Sequence, residues 1–201
     1  MVKALQRVTQ AISAVNYYRA FGELVTNSAG SKRFFRNQAA GDVRNDLGVD
    51  GYLPDNKSGL ITGIFVRCRV QPIGAGTPAV TAGRQMVELL EWLRDCDVAI
   101  KVNGTEVVRQ PVWACAHPPS WYQGSPTQGT ASDGGTFSGQ NAGFMLAFTP
   151  HEVFPRQTVE VEIIATTAGP SIALANYVPA PSAANRLPIE VTLQVSDKKA
   201  V

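Results

Sequence analysis

The sequence is poor in the residues that form covalent crosslinks and metal sites. Its 201 residues include three cysteines (Cys68, Cys96 and Cys115) and two histidines (His117 and His151). An odd, scattered set of cysteines does not make a disulfide framework and fits a reducing compartment. No cysteine pair has the C-x2-C spacing, and the histidines do not lie at helical spacing. We therefore expect no metal site and no cofactor.

Long apolar runs are also missing. No stretch approaches the roughly 20 apolar residues that span a bilayer, and polar residues interrupt the first 15 positions, so we expect neither a membrane span nor a signal peptide. Hydrophobic residues make up 44% of the chain and charged residues 17%, a balance that argues against disorder. A chain of this length buries roughly 70% of its unfolded surface, which predicts one sizeable domain.

Acidic residues are scarce at the beginning of the chain. Residues 1–40 contain six basic residues and one acidic residue, a net charge of +5, whereas the rest of the chain carries a net charge of −3. A basic chain end is typical of contact with phosphate or anionic lipid, although a merely solvated end looks the same. The basic residues are Lys3, Arg7, Arg19, Lys32, Arg33 and Arg36.

Residues 2–15 contain a weak helical pattern. Leu5, Val8, Ile12 and Val15 recur at spacings of three and four, which predicts a short amphipathic helix. Such a helix is marginal alone in water and needs a surface to dock against. We accordingly divide the chain into a basic amphipathic arm over residues 1–20 and a domain over residues 21–201.

The rest of the chain alternates mainly with the period of strands. Two residues, Asn103-Gly104, separate β-prone runs at 98–102 and 105–108 and predict a hairpin with a type I′ turn. Residues 83–95 have the spacing of one helix after a cap at Thr81. Seven or eight short strands without βαβ alternation predict an antiparallel sandwich. Long loops and an inserted helix favour a single jelly roll over an immunoglobulin-like fold. The remaining strands are predicted at 21–25, 33–36, 60–70, 143–149, 158–166 and 189–195.

A long polar loop over residues 115–143 contains the aromatic pair Trp121-Tyr122. A loop of this length in a domain commonly carries function, mediates contact or moves. The two rings have the chemistry to bind a sugar or a base. We favour the simpler interpretation that they fix the loop to the domain or to a neighbouring subunit.

The sequence shows no arrangement typical of catalysis. His117 and His151 both fall in predicted loops, and no Gly-x-Ser-x-Gly or phosphate-binding motif occurs. Glu160 and Glu162 share one face of a strand, about 7 Å apart, which is compatible with a glycosidase pair. A solvated strand face has the same pattern and is the interpretation that we favour, so we expect no enzyme and no small-molecule substrate.

The order of these features resembles the jelly-roll coat proteins of icosahedral, mostly tailless bacterial viruses. The resemblance covers most of residues 30–197 and rests on the segments at 34–38, 51–55, 61–66, 98–104 and 149–154. It implies a capsid subunit with one β-barrel, located in the virion and made in the host cytoplasm. Its partners would be copies of itself and other virion proteins, with the basic arm facing genome phosphate or an internal membrane.

Two non-catalytic functions remain open from the sequence, ahead of a third interpretation as an enzyme on a sandwich scaffold. The first is a structural capsid protein, either the principal coat subunit or a minor one at a vertex or spike base. Its rigid β core, long polar loops and arm fit a building block of a shell. The alternative is a carbohydrate- or receptor-binding sandwich of the spike or adhesin type.

Overall fold

Alternation of apolar and polar residues is the local signal behind most strands of this chain. A computed structural model describes residues 12–36, 44–48, 50–54, 57–68, 71–72, 88–89, 91–114, 146–172, 177–178 and 182–198. The strands in these segments are, in chain order, β1 (Ile12–Val25), β2 (Gly30–Phe34), β3 (Gly59–Cys68), β4 (Gln71–Pro72), β5 (Asp97–Val102), β6 (Thr105–Pro111), β7 (Leu146–Val153), β8 (Val159–Ala165), β9 (Tyr177–Val178) and β10 (Arg186–Lys198).

The long strands pair in a nested order. β1 pairs with β10, β2 with β8, β3 with β7 and β5 with β6, all antiparallel. Successive pairs alternate between two sheets, one ordered β1-β10-β3-β7 and the other ordered β2-β8-β5-β6. The short strands β4 and β9 pair with each other. The protein is therefore an all-β antiparallel sandwich, as the sequence predicts.

The core lies between the inward faces of the two sheets. Val161 and Ile163 of β8 and Leu193 of β10 are fully buried, and they share one apolar cluster with Ile64 of β3 and Ile100 of β5. Each such side chain contributes roughly 1.5–3 kcal/mol when it leaves water. The two inward faces thus supply the main stabilisation of the sandwich.

The predicted hairpin is confirmed. β5 and β6 are joined by Asn103 (φ 52°) and Gly104 (φ 78°), the pair of positive φ angles that a type I′ turn requires. The turn is also tied to the start of β8, because Asn103 N donates to Thr158 O at 2.9 Å and Thr158 N donates to Asn103 Oδ1 at 3.0 Å.

The helix predicted over 83–95 is described at residues 88–89 and 91–94, which are helical. Leu89, Trp92 and Leu93 turn towards the core and are buried. The Trp92 indole donates from Nε1 to Thr167 O at 3.0 Å, and Gly169 lies against the face of the ring. This contact fastens the helix to the segment that follows β8.

We expect Gly169→Ala to lower the free energy of unfolding by about 1–3 kcal/mol, because an added methyl group overpacks this contact. A Cβ at Gly169 would lie 2.4–2.6 Å from atoms of the Trp92 ring. Urea denaturation measures the loss. The control is Gly30→Ala, whose Cβ meets no atom within 4 Å. Equal losses in the two variants would contradict the role of the Trp92 contact.

The first strand corrects the prediction of an N-terminal helix. Residues 12–15 belong to β1, so the helical prediction is wrong for them. β1 pairs with β10 from Ile12 to Val25, and this pairing continues through residue 20, where the sequence placed the end of an arm. A weakly amphipathic pattern is overridden here because Ala20 and Leu24 bury against the core. Residues 1–11, with Lys3 and Arg7, lie outside the described residues.

Candidate functional site

The outward face of the β2-β8-β5-β6 sheet carries a cluster of charged side chains. Its centre is Glu160 and Glu162 of β8, which alternate with the core residues of that strand. Their predicted exposure on a solvated face is wrong, since they are only 6% and 7% exposed. Buried carboxylates need charged or hydrogen-bonding partners, and the neighbouring strands supply them.

The partners of the two carboxylates come from both neighbouring strands. Ser31 Oγ of β2 donates to Glu162 Oε1 at 2.5 Å, and Lys101 Nζ of β5 donates to Glu162 Oε2. Arg33 Nε of β2 lies 3.8 Å from Oε1 of both Glu160 and Glu162. The strand register explains the geometry, because Arg33 lies opposite Glu162 and Lys101 lies opposite Glu160.

This environment keeps Glu162 ionised. Burial by itself raises the pKa of Glu162, but the hydrogen bonds from Lys101 and Ser31, with the charges of Lys101 and Arg33, outweigh it and lower the pKa below its ordinary value. A glycosidase requires one carboxylic acid that holds its proton near neutral pH. Glu162 is shifted in the opposite direction, so it does not suit the role of proton donor.

The charged face continues onto the edge strand β6. Arg109 donates from Nε and Nη2 to the Glu106 carboxylate at 2.9 and 2.8 Å, and its Nη1 lies 3.4 Å from Asp97 Oδ2. The pairing of β5 with β6 shifts between Ile100 and Lys101. Because of this bulge, Glu106 and Arg109 reach the same face although three positions separate them. Positive and negative charges therefore alternate across the whole sheet.

We expect the Glu162 contacts to make stability depend on pH. A carboxylate whose pKa is lowered by folding stabilises the protein above its unfolded pKa of about 4.3, and this contribution is lost as the pH falls through the lower folded value. Thermal unfolding between pH 7 and pH 2 measures the loss. Glu162→Gln should flatten the acid limb of that profile relative to the wild type. Identical profiles for wild type and Glu162→Gln would refute this expectation.

The outward face of the other sheet also has a buried carboxylate. Glu190 of β10 is 3% exposed and lies opposite Arg67 of β3. Arg67 donates from Nε and Nη2 to Glu190 Oε2 at 3.0 and 2.5 Å. Both donors reach the same oxygen, so the pair holds β3 and β10 together by a charge-assisted contact.

Residues 44–46 close part of the edge of this sheet. Asn45 forms an isolated antiparallel β-bridge with Ala20 of β1, and Asp46 Oδ2 accepts a hydrogen bond from Arg19 N at 2.8 Å. The Arg44 guanidinium lies 6.0 Å from the centre of the Phe21 ring and donates to Asp46. Burial raises the pKa of Asp46, but the contacts with Arg44 and Arg19 outweigh it and lower the pKa.

The structure separates the predicted basic residues. Arg19 lies in β1 of one sheet, and Lys32 and Arg33 lie in β2 of the other, so these three residues do not belong to one arm. Lys32 lies opposite the core residue Ile163 and faces inward at the sandwich edge. Arg36 follows β2 and is partly buried. That these residues face the interior of a particle stays a prediction.

The remaining candidates lie in a strand, in the core or outside the described residues. The sequence predicts that His151 lies in a loop, and this prediction is wrong, because His151 lies in β7. Burial, with the charges of Asp95 and Asp97, raises the pKa of Cys96 to about 12, so its thiol is a poor nucleophile. Residues 115–143, which contain His117, Trp121 and Tyr122, lie outside the described residues.

Two kinds of feature are absent from the described segments. There, no three His, Cys, Asp or Glu side chains come together as potential metal ligands. No helix within the same segments has the length and apolar character needed to cross a membrane.

Sequence reasoning missed the partners of the buried carboxylates. Ser31, Lys101 and Arg67 carry no motif, and their roles depend on which strands are neighbours. The available signal was the presence of charged residues in otherwise apolar strands, since a charge on a central strand needs an opposite charge on the next one. Neither a scan against protein-family models nor a search of curated proteins finds a match to this chain.

Proposed function

We propose that this protein is a capsid subunit whose sandwich is a single jelly roll. The observation that carries the proposal is the nested pairing of β1 with β10, β2 with β8, β3 with β7 and β5 with β6, with successive pairs in alternate sheets. This is the pattern of one long hairpin wrapped into two four-stranded sheets. Viral capsid domains use that architecture, as do lectins and cupins.

Three of the four edges of the two large sheets, those formed by β2, β6 and β7, carry features that oppose pairing with another strand. This supports a building block that does not aggregate at those edges. The edge strand β2 carries the inward-facing Lys32. The edge strand β6 has a bulge and ends at Pro111, and β7 contains Pro150 and an irregular register with β3. Inward charges, bulges and prolines at edges oppose uncontrolled pairing. A shell subunit needs this protection because its local concentration is high.

The internal pairing of charges supports a structural role over a catalytic one. Glu162 and Glu190 are held by Lys101 and Arg67, respectively, and these contacts join neighbouring strands. Such pairs fix strand register. The proposed function includes no substrate, no cofactor and no turnover.

The proposed partners are other copies of this chain and other virion proteins, in a particle assembled in the host cytoplasm. Basic residues near the beginning of the chain would face genome phosphate or an internal membrane. Changing Lys3 and Arg7 to Glu tests that assignment, since the proposal expects reduced genome or lipid content in otherwise intact particles. Unchanged content would remove it.

The size of the purified protein tests the main proposal. We expect closed particles of uniform diameter in negative-stain electron microscopy, and a mass of many subunits in light scattering. Copurification with other virion proteins is the corresponding outcome for a minor subunit. A stable monomer or trimer that joins no larger particle would refute the proposal.

A glycan- or receptor-binding module is the second candidate. Tyr52 and Phe154 are 43% and 53% exposed, and Tyr52 pairs with Thr158, next to the turn that contains Phe154. Exposed aromatic rings of this kind suit stacking on sugars. Binding on a glycan array that is lost in Tyr52→Ala or Trp121→Ala would favour this candidate.

A further inference from the structure

The first half of β1 directs backbone groups outward along the edge of its sheet. Asp46 N donates to Arg19 O at 3.0 Å, and Phe21 N donates to Arg44 O at 2.9 Å. These bonds show that odd-numbered residues of β1 direct their backbone groups away from β10. Val15 and Tyr17 share this phase, because the pairing with β10 is regular from Val15 onwards. No other described strand pairs with β1 at these two positions.

The side chains at the same positions are large and exposed. Val15 is 40% exposed and Tyr17 is 56% exposed, and both lie on the outward face of the sheet. The edges formed by β2, β6 and β7 carry an inward charge, bulges or prolines. From Val15 to Tyr17 the strand has no charge, no proline and no register shift, so this stretch lacks the protection that edge strands usually have.

We propose that this edge is a two-fold contact in which β1 pairs antiparallel with β1 of a second copy of the chain, with the axis at Asn16. Val15 then lies opposite Tyr17 of the second copy, and the reverse pair forms as well. The four backbone N–H and C=O groups of Val15 and Tyr17 in each copy face their counterparts. Aromatic and β-branched residues form favourable cross-strand pairs, so the strand is complementary to itself.

Neighbouring features fix this register. Moving the axis to Tyr17 places Val15 opposite Arg19, whose backbone N–H and C=O are already bound by Asp46. Moving it to Val15 brings the irregular stretch between Ile12 and Val15 into the pairing. An axis between two residues places outward-facing backbone groups opposite inward-facing ones.

This contact would be one of the subunit contacts in the proposed shell. It rests on the proposed function only in that respect, because the pairing of two β1 strands does not itself require a shell. A paired stretch this short is weak by itself. It becomes effective when many contacts act together in a closed particle.

Disulfide trapping in a Cys115→Ser background tests the contact. Residues on the axis form a non-hydrogen-bonded pair with Cα atoms about 4.5 Å apart, within the range that a disulfide bridges. Asn16→Cys should therefore shift from monomer to dimer mass on a non-reducing gel after mild oxidation. Val15→Cys and Tyr17→Cys should crosslink when mixed, but neither should crosslink alone, because each residue lies more than about 7 Å from its own counterpart.

The controls separate a specific contact from collision and misfolding. Thr105→Cys places an exposed thiol on the edge strand β6 and should stay monomeric. Under reducing conditions each variant should melt at the wild-type temperature. Only variants that meet this condition are used to test the contact. If Asn16→Cys gives no more dimer than Thr105→Cys, the contact is refuted. Protection of the Val15→Cys thiol from alkylation in a monomer would show that another segment of the same chain covers the edge, which also refutes it.

The outcome is distinguishable from that of the proposed function. Crosslinking at Asn16→Cys without particles supports the contact and refutes the shell. Uniform particles without crosslinking support the shell and refute the contact.

Discussion

Arg67→Met should lower the free energy of unfolding by about 3 kcal/mol. The change leaves the Glu190 carboxylate, which is 3% exposed, without the guanidinium that now donates to it twice. Removing one partner of a buried ion pair costs about 3–5 kcal/mol. The lower end applies because the Arg67 side chain is 33% exposed, so water partly replaces it. Urea denaturation monitored by tryptophan fluorescence gives the free energy directly.

The double variant Arg67→Met/Glu190→Leu should recover most of this loss. With both charges gone, no carboxylate remains buried without a partner, and the apolar pair still packs across β3 and β10. Arg109→Met is the matched control at an exposed pair on β6, where solvent screens the charges and a much smaller loss than that of Arg67→Met is expected. A double variant as unstable as Arg67→Met would show that Glu190 is not the origin of the loss.

The local part of the fold could be predicted because it depends on neighbouring residues. The β5–β6 hairpin needed only the positive φ angles that Asn103 and Gly104 adopt easily. The strands β8 and β10 were visible in the alternation of apolar with polar residues. In each case the information lies within about ten residues of sequence.

The pairing of distant strands could not be predicted in this way. The burial of Glu162 depends on Ser31 and Lys101, which come from the strands on either side of β8. Without those neighbours, an alternating Glu reads as a solvated residue. For the same reason, the sequence indicated a possible carboxylate pair but not its neutralisation by Arg33.

The β1 strand shows how long-range pairing overrides a local pattern. Ile12 and Val15 fit a helical stripe with the residues before them, yet both lie in a strand that pairs with β10. Their partners, Lys198 and Ser196, follow them in the chain by more than 180 residues. A short amphipathic pattern gives little intrinsic helix stability in water. Antiparallel pairing of twelve residues of β1 with β10 stabilises the strand more than this pattern stabilises a helix.

Phe34 and Phe35 illustrate a limit of the period-two rule. Consecutive residues of a strand point to opposite faces, so alternation predicts that one of the two rings faces water. Both are fully buried, because Phe35 leaves the strand conformation with φ at 71°. That angle is uncommon for a bulky residue, and the burial of the second ring compensates for its cost.

We therefore expect Phe35→Ala to lower the free energy of unfolding by about 3–5 kcal/mol, the usual cost of removing a fully buried phenyl ring. Phe35→Gly should be less damaging than Phe35→Ala by up to about 1–2 kcal/mol, because glycine adopts the positive φ without strain. Phe154→Ala is the matched control, since its ring is 53% exposed, and it should lose less than about 0.5 kcal/mol. Chemical denaturation of the three variants under the same conditions gives the comparison. If Phe35→Ala and Phe154→Ala lose equal stability, the Phe35 ring is not part of the core, and its left-handed conformation has no energetic compensation in packing.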